Sequence, residues 1–246
     1  MEIENLSVDT WDELVLNIND MFVSYPDYIF RGQSQEDWKI ESSLTRLLRE
    51  SELVRDFETF YKIHLSNFKL KLRGHGFDLK NMNDDEIWSI GQHHGLATPL
   101  IDWTSSPFVA GFFALTGKPK SQNSKRALWA FNLLDLERFR KKDKKLITRV
   151  EPLENNKRLL SQNGLFLKLP LNSDFESVID KQPKQKWVSL YKITFPDEII
   201  EQGIAALNLM NINYSSLYPD LQGACLSCNQ VLRQYNYITD LQDKIE

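Results

Sequence analysis

Cysteine is almost missing from this chain: two residues, Cys225 and Cys228, among 246. That excludes a framework of several disulfides. The pair is spaced C-x-x-C, yet no second pair of matching ligands accompanies it. The four histidines, His64, His75, His93 and His94, contain no H-x3-5-H spacing. A structural zinc site needs that second pair. The thiols are therefore expected to be reduced and partly buried, with a redox dithiol as the alternative, and no metal is expected.

Long apolar runs are missing as well, and nothing approaches the ~20 residues of a membrane span. The first residues, MEIENLSVDTWDEL, are acidic and lack the apolar core of a secretory signal. A soluble, cytoplasmic protein without a membrane partner is expected. An excess of basic charge is also missing. Lys and Arg total 30 against 34 Asp and Glu, for a net charge of −4 and a pI near 5.7. That balance gives no support for a generally basic nucleic-acid binder and leaves room for a local basic patch.

What is present is ordinary globular composition, 41% hydrophobic and 26% charged, enough to bury a sizeable core. No repeat, low-complexity tract or linker divides the chain. The elements read as a mixed, mostly antiparallel sheet core with flanking helices, an α+β protein with one domain over residues 1–246.

Trp11, Leu14, Val15, Ile18 and Phe22 recur at helical spacing behind Thr10, with Glu13 completing a capping-box pattern. Tyr28–Arg31 reads as a strand. Phe57, Phe60, Tyr61, Leu65 and Phe68 predict a long helix ended by Arg73-Gly74-His75-Gly76. Asp84 or Asp85 is expected to cap a short helix running to Ile90, followed by a loop through His93, His94 and Gly95. Leu100–Trp103 reads as extended. Ser106 then stands at an N-cap with Pro107 at the first helical position, where its missing N–H costs nothing. Further on, ALWAFNL and WVSLYKITFP read as strands, LDLERFRKKDKKL and DEIIEQGIAALNLMNI as helices, and RLLSQNGLFLKLP as strand, turn, strand.

Five constellations carry chemistry. Arg31-Gly32 ends a strand. A guanidinium offers five donors in a rigid fork suited to phosphate or carboxylate, or to a buried carboxylate such as Asp102 or Asp220. Gly32 lets a ligand or another backbone approach closely. Thr104, Ser105 and Ser106 precede a helix N-terminus, which suits either a phosphate or plain capping. His93 and His94 point opposite ways along an extended loop, so one of them is expected to face a site. Arg158 and Gln162, four apart on an expected strand, share one face. Asp220 sits in a Pro-Asp turn, SSLYPDLQG.

The segments YIFRGQSQEDWKIESSLTR, GQHHGLATPLIDWTSSPFVAGFFAL, ALWAFNL, RLLSQNGLF and SSLYPDLQG together resemble, in order, the FRG domain family, named for its Phe-Arg-Gly signature. The resemblance spans roughly residues 8–235. It implies a bacterial, phage-associated protein connected with mobile elements, defence or toxin systems. A more distant resemblance, to ADP-ribosyltransferases, implies an NAD cleft built from an arginine on an early strand, a Ser/Thr-rich strand end leading into a helix, and a glutamate-bearing strand. Arg31, Thr104-Ser105-Ser106 and RLLSQNGLFLKL match these in turn. Lys157-Arg158 stands where the glutamate belongs, with Glu154 earlier. Such a cation repels the positive charge that develops in the transfer reaction; Gln162, Asp102 or a histidine is the candidate substitute.

The combined expectation is a nucleotide-type ligand, NAD first, consumed by ADP-ribosyl transfer or hydrolysis with a protein or nucleic acid as acceptor; the alternative is a non-catalytic nucleotide-sensing or protein-interaction module. Arg31, His93, His94, Thr104 and Gln162 are the catalytic candidates. Phe30, Arg31, Gly32, Gln33, Asp102, Trp103, Thr104, Ser105, Ser106 and Arg158 are the binding candidates, with Phe30 or Trp103 stacking on a base.

Overall fold

Tyr28-Ile29-Phe30 opens a strand whose two faces are both buried, and the rest of the protein is arranged around it. In this computed structural model the described residues are 3–51, 56–121, 124–142, 146–150, 157–181 and 190–242. Among them, seven strands form one sheet: β1 (Ile3–Ser7), β2 (Tyr28–Gln33), β3 (Leu100–Thr104), β4 (Arg126–Asn132), β5 (Thr148–Val150), β6 (Gly164–Lys168) and β7 (Leu190–Phe195). Their order is β1-β7-β4-β2-β3-β6-β5. Only β1 and β7 run parallel, so the sheet is mixed and mostly antiparallel, as expected of an α+β protein.

Side chains alternate between the two faces of a sheet. On one face, over β7, β4 and β2, lie α1 (Trp11–Phe22), α5 (Pro107–Thr116), α9 (Ile200–Leu209) and α10 (Tyr214–Leu217). Leu14, Phe22, Phe112 and Leu207 pack there on Phe30, Leu128, Ala130 and Ile193. On the same face, over β3 and β6, lie α2 (Ser43–Glu50), α3 (Phe57–Leu72), α4 (Asp84–His93) and α7 (Lys157–Ser161), whose Leu44, Leu65, Trp88 and Leu159 pack on Leu100 and Phe166. The opposite face is covered by α6 (Leu133–Lys142) and α8 (Phe175–Asp180) over Ile29, Trp129, Trp103 and Leu167.

Two helical groups therefore share one face, and the sheet parts beneath the gap between them. β2 pairs with β4 at six consecutive positions, Tyr28 to Gln33. It pairs with β3 only at Phe30 opposite Thr104. Beyond that pair β2 and β3 diverge.

Several sequence expectations change. α4 is capped by Asn83 in a full capping box with Glu86, not by Asp84 or Asp85, because an amide oxygen one residue earlier already satisfies the Glu86 N–H. The helix continues through His93, so that histidine is helical, not in a loop. KRLLS is helix α7, not a strand, and a turn through Gln162 and Asn163, at φ 48°, leads into β6. Five residues are too few for apolar spacing to separate helix from strand. Cys225 and Cys228 are exposed, not partly buried, on α11 (Leu221–Gln242). Glu154 and the first residues of WVSLYKITFP lie outside the described residues.

Candidate functional site

The parting of β2 from β3 opens a cleft of about 390 Å³. Its floor is Phe30, Arg31 and Gly32 of β2 with Asp102, Trp103 and Thr104 of β3. Its walls are Gln92 and His93 of α4, Ala110 and Phe113 of α5, Arg158, Leu159 and Gln162 around α7, and Tyr218, with Phe166 below.

Arg31 alternates with Phe30 and Gly32 along β2, and its side chain reaches across the parting to β3, where it lines the cleft. Its Nη1 donates to the Asp102 carbonyl oxygen at 2.6 Å. A guanidinium thus bridges the two strands where the backbone ladder has stopped. Its Nε is buried and has no hydrogen-bond partner among the described residues. Burial pushes the Arg31 pKa down and the nearby Asp102 carboxylate pushes it back up; an arginine nevertheless stays protonated at neutral pH. The carboxylate pairing foreseen for Arg31 is replaced by a bond to the Asp102 backbone. The other foreseen partner, Asp220, belongs to a different arginine.

Gly32 is explained by packing. A Cβ there meets Ala110 O at 1.9 Å and Ala114 N at 2.7 Å, so the close neighbour is the backbone of α5. Without that glycine the helix cannot sit on β2 and the cleft loses a wall.

The three hydroxyls are largely committed within the protein. Thr104 donates to Gln162 O at 2.7 Å and accepts from Ser106 N. Ser105 donates to Asn163 O, and Ser106 accepts from Val109 N as the cap of α5. Only Thr104 of the three lines the cleft, so the capping alternative accounts for Ser105 and Ser106. Gln33 is also internal: it accepts from Trp129 Nε1 at 2.7 Å and faces Lys39 O. The rings of Phe30 and Trp103 are core residues. Phe30 packs edge-on against Phe22, and Trp103 packs against Phe131 and Phe175. Neither ring is placed to stack on a base. Phe113 and Tyr218, 6.3 Å apart and nearly perpendicular, are the partly buried rings on the cleft.

Of the two histidines, His93 lines the cleft while His94 is exposed, with the rings edge to face at 4.8 Å. Gln92 beside them donates from Nε2 to Asp102 Oδ1 at 2.8 Å, and its Oε1 accepts from the Thr98 hydroxyl. The amide thereby orients the one carboxylate among the lining residues. Gln92, Phe113 and Tyr218 were missed by sequence reasoning. Gln92 had a signal, its place in the GQHHG run, whereas the two rings had none.

Arg158 and Gln162 do share a side, through the i, i+4 relation of a helix and not of a strand. Gln162 Nε2 donates to Leu217 O at 3.1 Å. Arg158 Nε donates to Asp220 Oδ2 at 2.7 Å, its Nη2 donates to Gln222 Oε1 at 2.8 Å, and its guanidinium carbon lies 5.0 Å from the Tyr218 ring centre. Asp220 also accepts from Gly223 N, capping α11. That bond first, and the Arg158 contact second, hold the Asp220 carboxyl below its ordinary pKa. Burial pushes the Tyr218 hydroxyl up.

Residues 26–124, from just before β2 to just before β4, match the family model described as FRG domain. The chain carries an FRG domain. The match is shorter than the span of resemblance expected from the sequence, but this FRG segment contains Arg31, His93, Asp102 and Thr104. Arg158, Gln162 and Tyr218 complete the cleft from outside it. No curated protein and no solved structure matches the chain. Among the described residues no helix is long and apolar enough to cross a membrane, and no group of three or more His, Cys, Asp or Glu is placed to hold a metal ion.

Proposed function

We propose that the FRG cleft binds a phosphate-bearing, nucleotide-type ligand, with NAD as the first candidate. The observation that carries this reading is the Arg31 guanidinium, buried at the parted strands with its Nη1 used and its Nε unpartnered. Nε and the adjoining Nη2 form the edge of a guanidinium that takes two oxygens of a phosphate or carboxylate at once. A buried donor left without an acceptor costs roughly 1–3 kcal/mol, so a site that keeps one is suited to a ligand that supplies the acceptor. Arg158 adds a second cation, Tyr218 and Phe113 supply rings for a base, and the volume is within the range of small-ligand pockets. A mostly antiparallel sheet that opens beside an early-strand arginine also supports the distant resemblance to ADP-ribosyltransferases.

Binding without turnover is the better supported form. Transfer or hydrolysis of NAD builds positive charge on the ribose and needs an anionic group beside it. The cleft offers Asp102, oriented by Gln92, against two arginines. Asp102 is the observation that favours the second reading, an NAD-consuming effector with a protein or nucleic-acid acceptor.

Titration of NAD, ADP-ribose, ATP and GTP into wild type and Arg31→Ala tests the proposal. A ligand at 100 times its Kd stabilises the fold by about 2.7 kcal/mol, a rise in Tm of roughly 5–10 °C for a chain of this size. A rise in wild type that is lost in Arg31→Ala supports binding. Release of nicotinamide that disappears in Asp102→Asn selects the enzyme. No rise with any of the four ligands rejects the cleft as a nucleotide site.

A further inference from the structure

The two arginines of the cleft differ in what already occupies them. Arg31 meets a backbone carbonyl and keeps an unpartnered N–H. Arg158 meets a carboxylate: both Nε and Nη2 lie on Asp220 Oδ2, at 2.7 and 2.6 Å, and Nη2 also donates to Gln222. That is the side edge of the guanidinium, the one a phosphate engages. The chain has placed its own oxyanion there. Arg158 lines the cleft, its side chain is 19% exposed and that of Asp220 is 36% exposed, so Asp220 holds a cleft residue from a partly solvent-exposed position.

We propose that Asp220 determines the specificity of the cleft by competing for Arg158. This rests on the binding role proposed above. A ligand with one phosphate docks at Arg31 and leaves the Arg158–Asp220 pair in place. A ligand with two phosphates engages both arginines only by displacing the Asp220 carboxylate. Asp220 thereby handicaps diphosphates relative to monophosphates. Its second bond, to Gly223 N, keeps the α11 cap formed when Arg158 turns away, so the exchange does not require the helix to unwind. Gly223 holds this turn tightly, since a Cβ there meets Tyr218 O at 1.9 Å.

Asp220→Asn separates the two roles, because asparagine caps a helix as well as aspartate does but carries no charge. The experiment is calorimetric titration of AMP, ADP, inorganic phosphate and pyrophosphate into wild type, Asp220→Asn and Arg31→Ala. The expected result is that Asp220→Asn tightens ADP and pyrophosphate about three- to tenfold, the scale of losing one partly exposed charge competitor. AMP and phosphate should change less than twofold. Equal changes for mono- and diphosphates, or none, overturn the proposal and leave Asp220 as a cap only, while binding lost in Arg31→Ala still upholds the cleft. If none of the four probes binds wild type or Asp220→Asn, the binding role fails and the specificity role fails with it. Denaturation midpoints of the variants identify any that are misfolded.

Discussion

Arg126 and Arg31 stand on neighbouring strands and meet opposite fates. Arg126, 4% exposed, donates from Nε to Asp197 at 2.7 Å, and from Nη1 to the carbonyls of Ala114, Leu115 and Gly117 at the end of α5. Those carbonyls are ones a helix C-terminus leaves without intrahelical donors. Arg126 therefore closes the protein's own unsatisfied groups: a charge, a helix end and a strand are joined, and among the described residues none of its nitrogens is buried without a partner. Arg31 closes one carbonyl and leaves Nε without a partner among the described residues. A buried arginine is paired when its job is architectural. The comparison teaches that the meaning of an arginine lies in its remaining donors, which the residue type and its strand position do not reveal.

The largest expected effect follows from removing the satisfied member. Arg126→Leu strips a partner from three carbonyls and from the partly exposed Asp197, and should destabilise the fold by about 3–5 kcal/mol, since each buried acceptor left without a donor costs roughly 1–3 kcal/mol. In a denaturant titration the midpoint should fall with little change in slope. A loss under 1 kcal/mol would mean Arg126 is no better anchored than a surface residue. Gly32→Ala comes next. Its Cβ meets the backbone of α5, which has no flexible end to give way, so a loss of about 3 kcal/mol is expected, at the upper end of overpacking. A neutral Gly32→Ala would show that α5 can move off β2.

Arg31→Ala should invert the pattern. Only one hydrogen bond goes, costing about 1 kcal/mol of stability, while ligand affinity falls by about a hundredfold as a charge-assisted contact is lost. Measuring denaturation and binding on the same protein decides it. If Arg31→Ala destabilises as much as Arg126→Leu does, the two arginines are equivalent and Arg31 serves to tie β2 to β3.

Much of this frame was legible in the sequence. The spacing of Trp11, Leu14, Ile18 and Phe22 located α1, and Ser106-Pro107 located the start of α5. What failed was short or long-range. The helix α2 was overlooked because its apolar contribution is small: Leu44 and Leu48 are buried among polar neighbours. The segment α7 is too short to show a period. Arg31 was singled out by residue type, but the divergence of β2 from β3 depends on strand order, which brings Asp102 to it across 71 residues. Tyr218 reaches the cleft, and Asp220 reaches Arg158, from about 60 positions beyond Arg158. No local pattern encodes such meetings; they arise when apolar faces on distant segments find each other.

The smallest expected effect belongs to Asp220, and it sharpens the contrast through pH and salt. The folded protein holds this carboxyl below its ordinary pKa, first through Gly223 N–H and then through Arg158. A group whose folded pKa is depressed contributes stability above its unfolded pKa and loses it as the pH falls through the folded value. The stability difference between wild type and Asp220→Asn should therefore be greatest at neutral pH and shrink on acidification below the ordinary aspartate range, as wild-type Asp220 takes up its proton. Added salt should shrink the Arg158 part of that difference at neutral pH, since an exposed pair is screened. The Arg126→Leu loss should change less with salt, because that guanidinium is buried and three of its contacts are to carbonyls. A difference that stays flat from neutral to acid pH would mean that Arg158 and Gly223 do not hold Asp220 in solution, and that the second arginine of the cleft is as open to a ligand as the first.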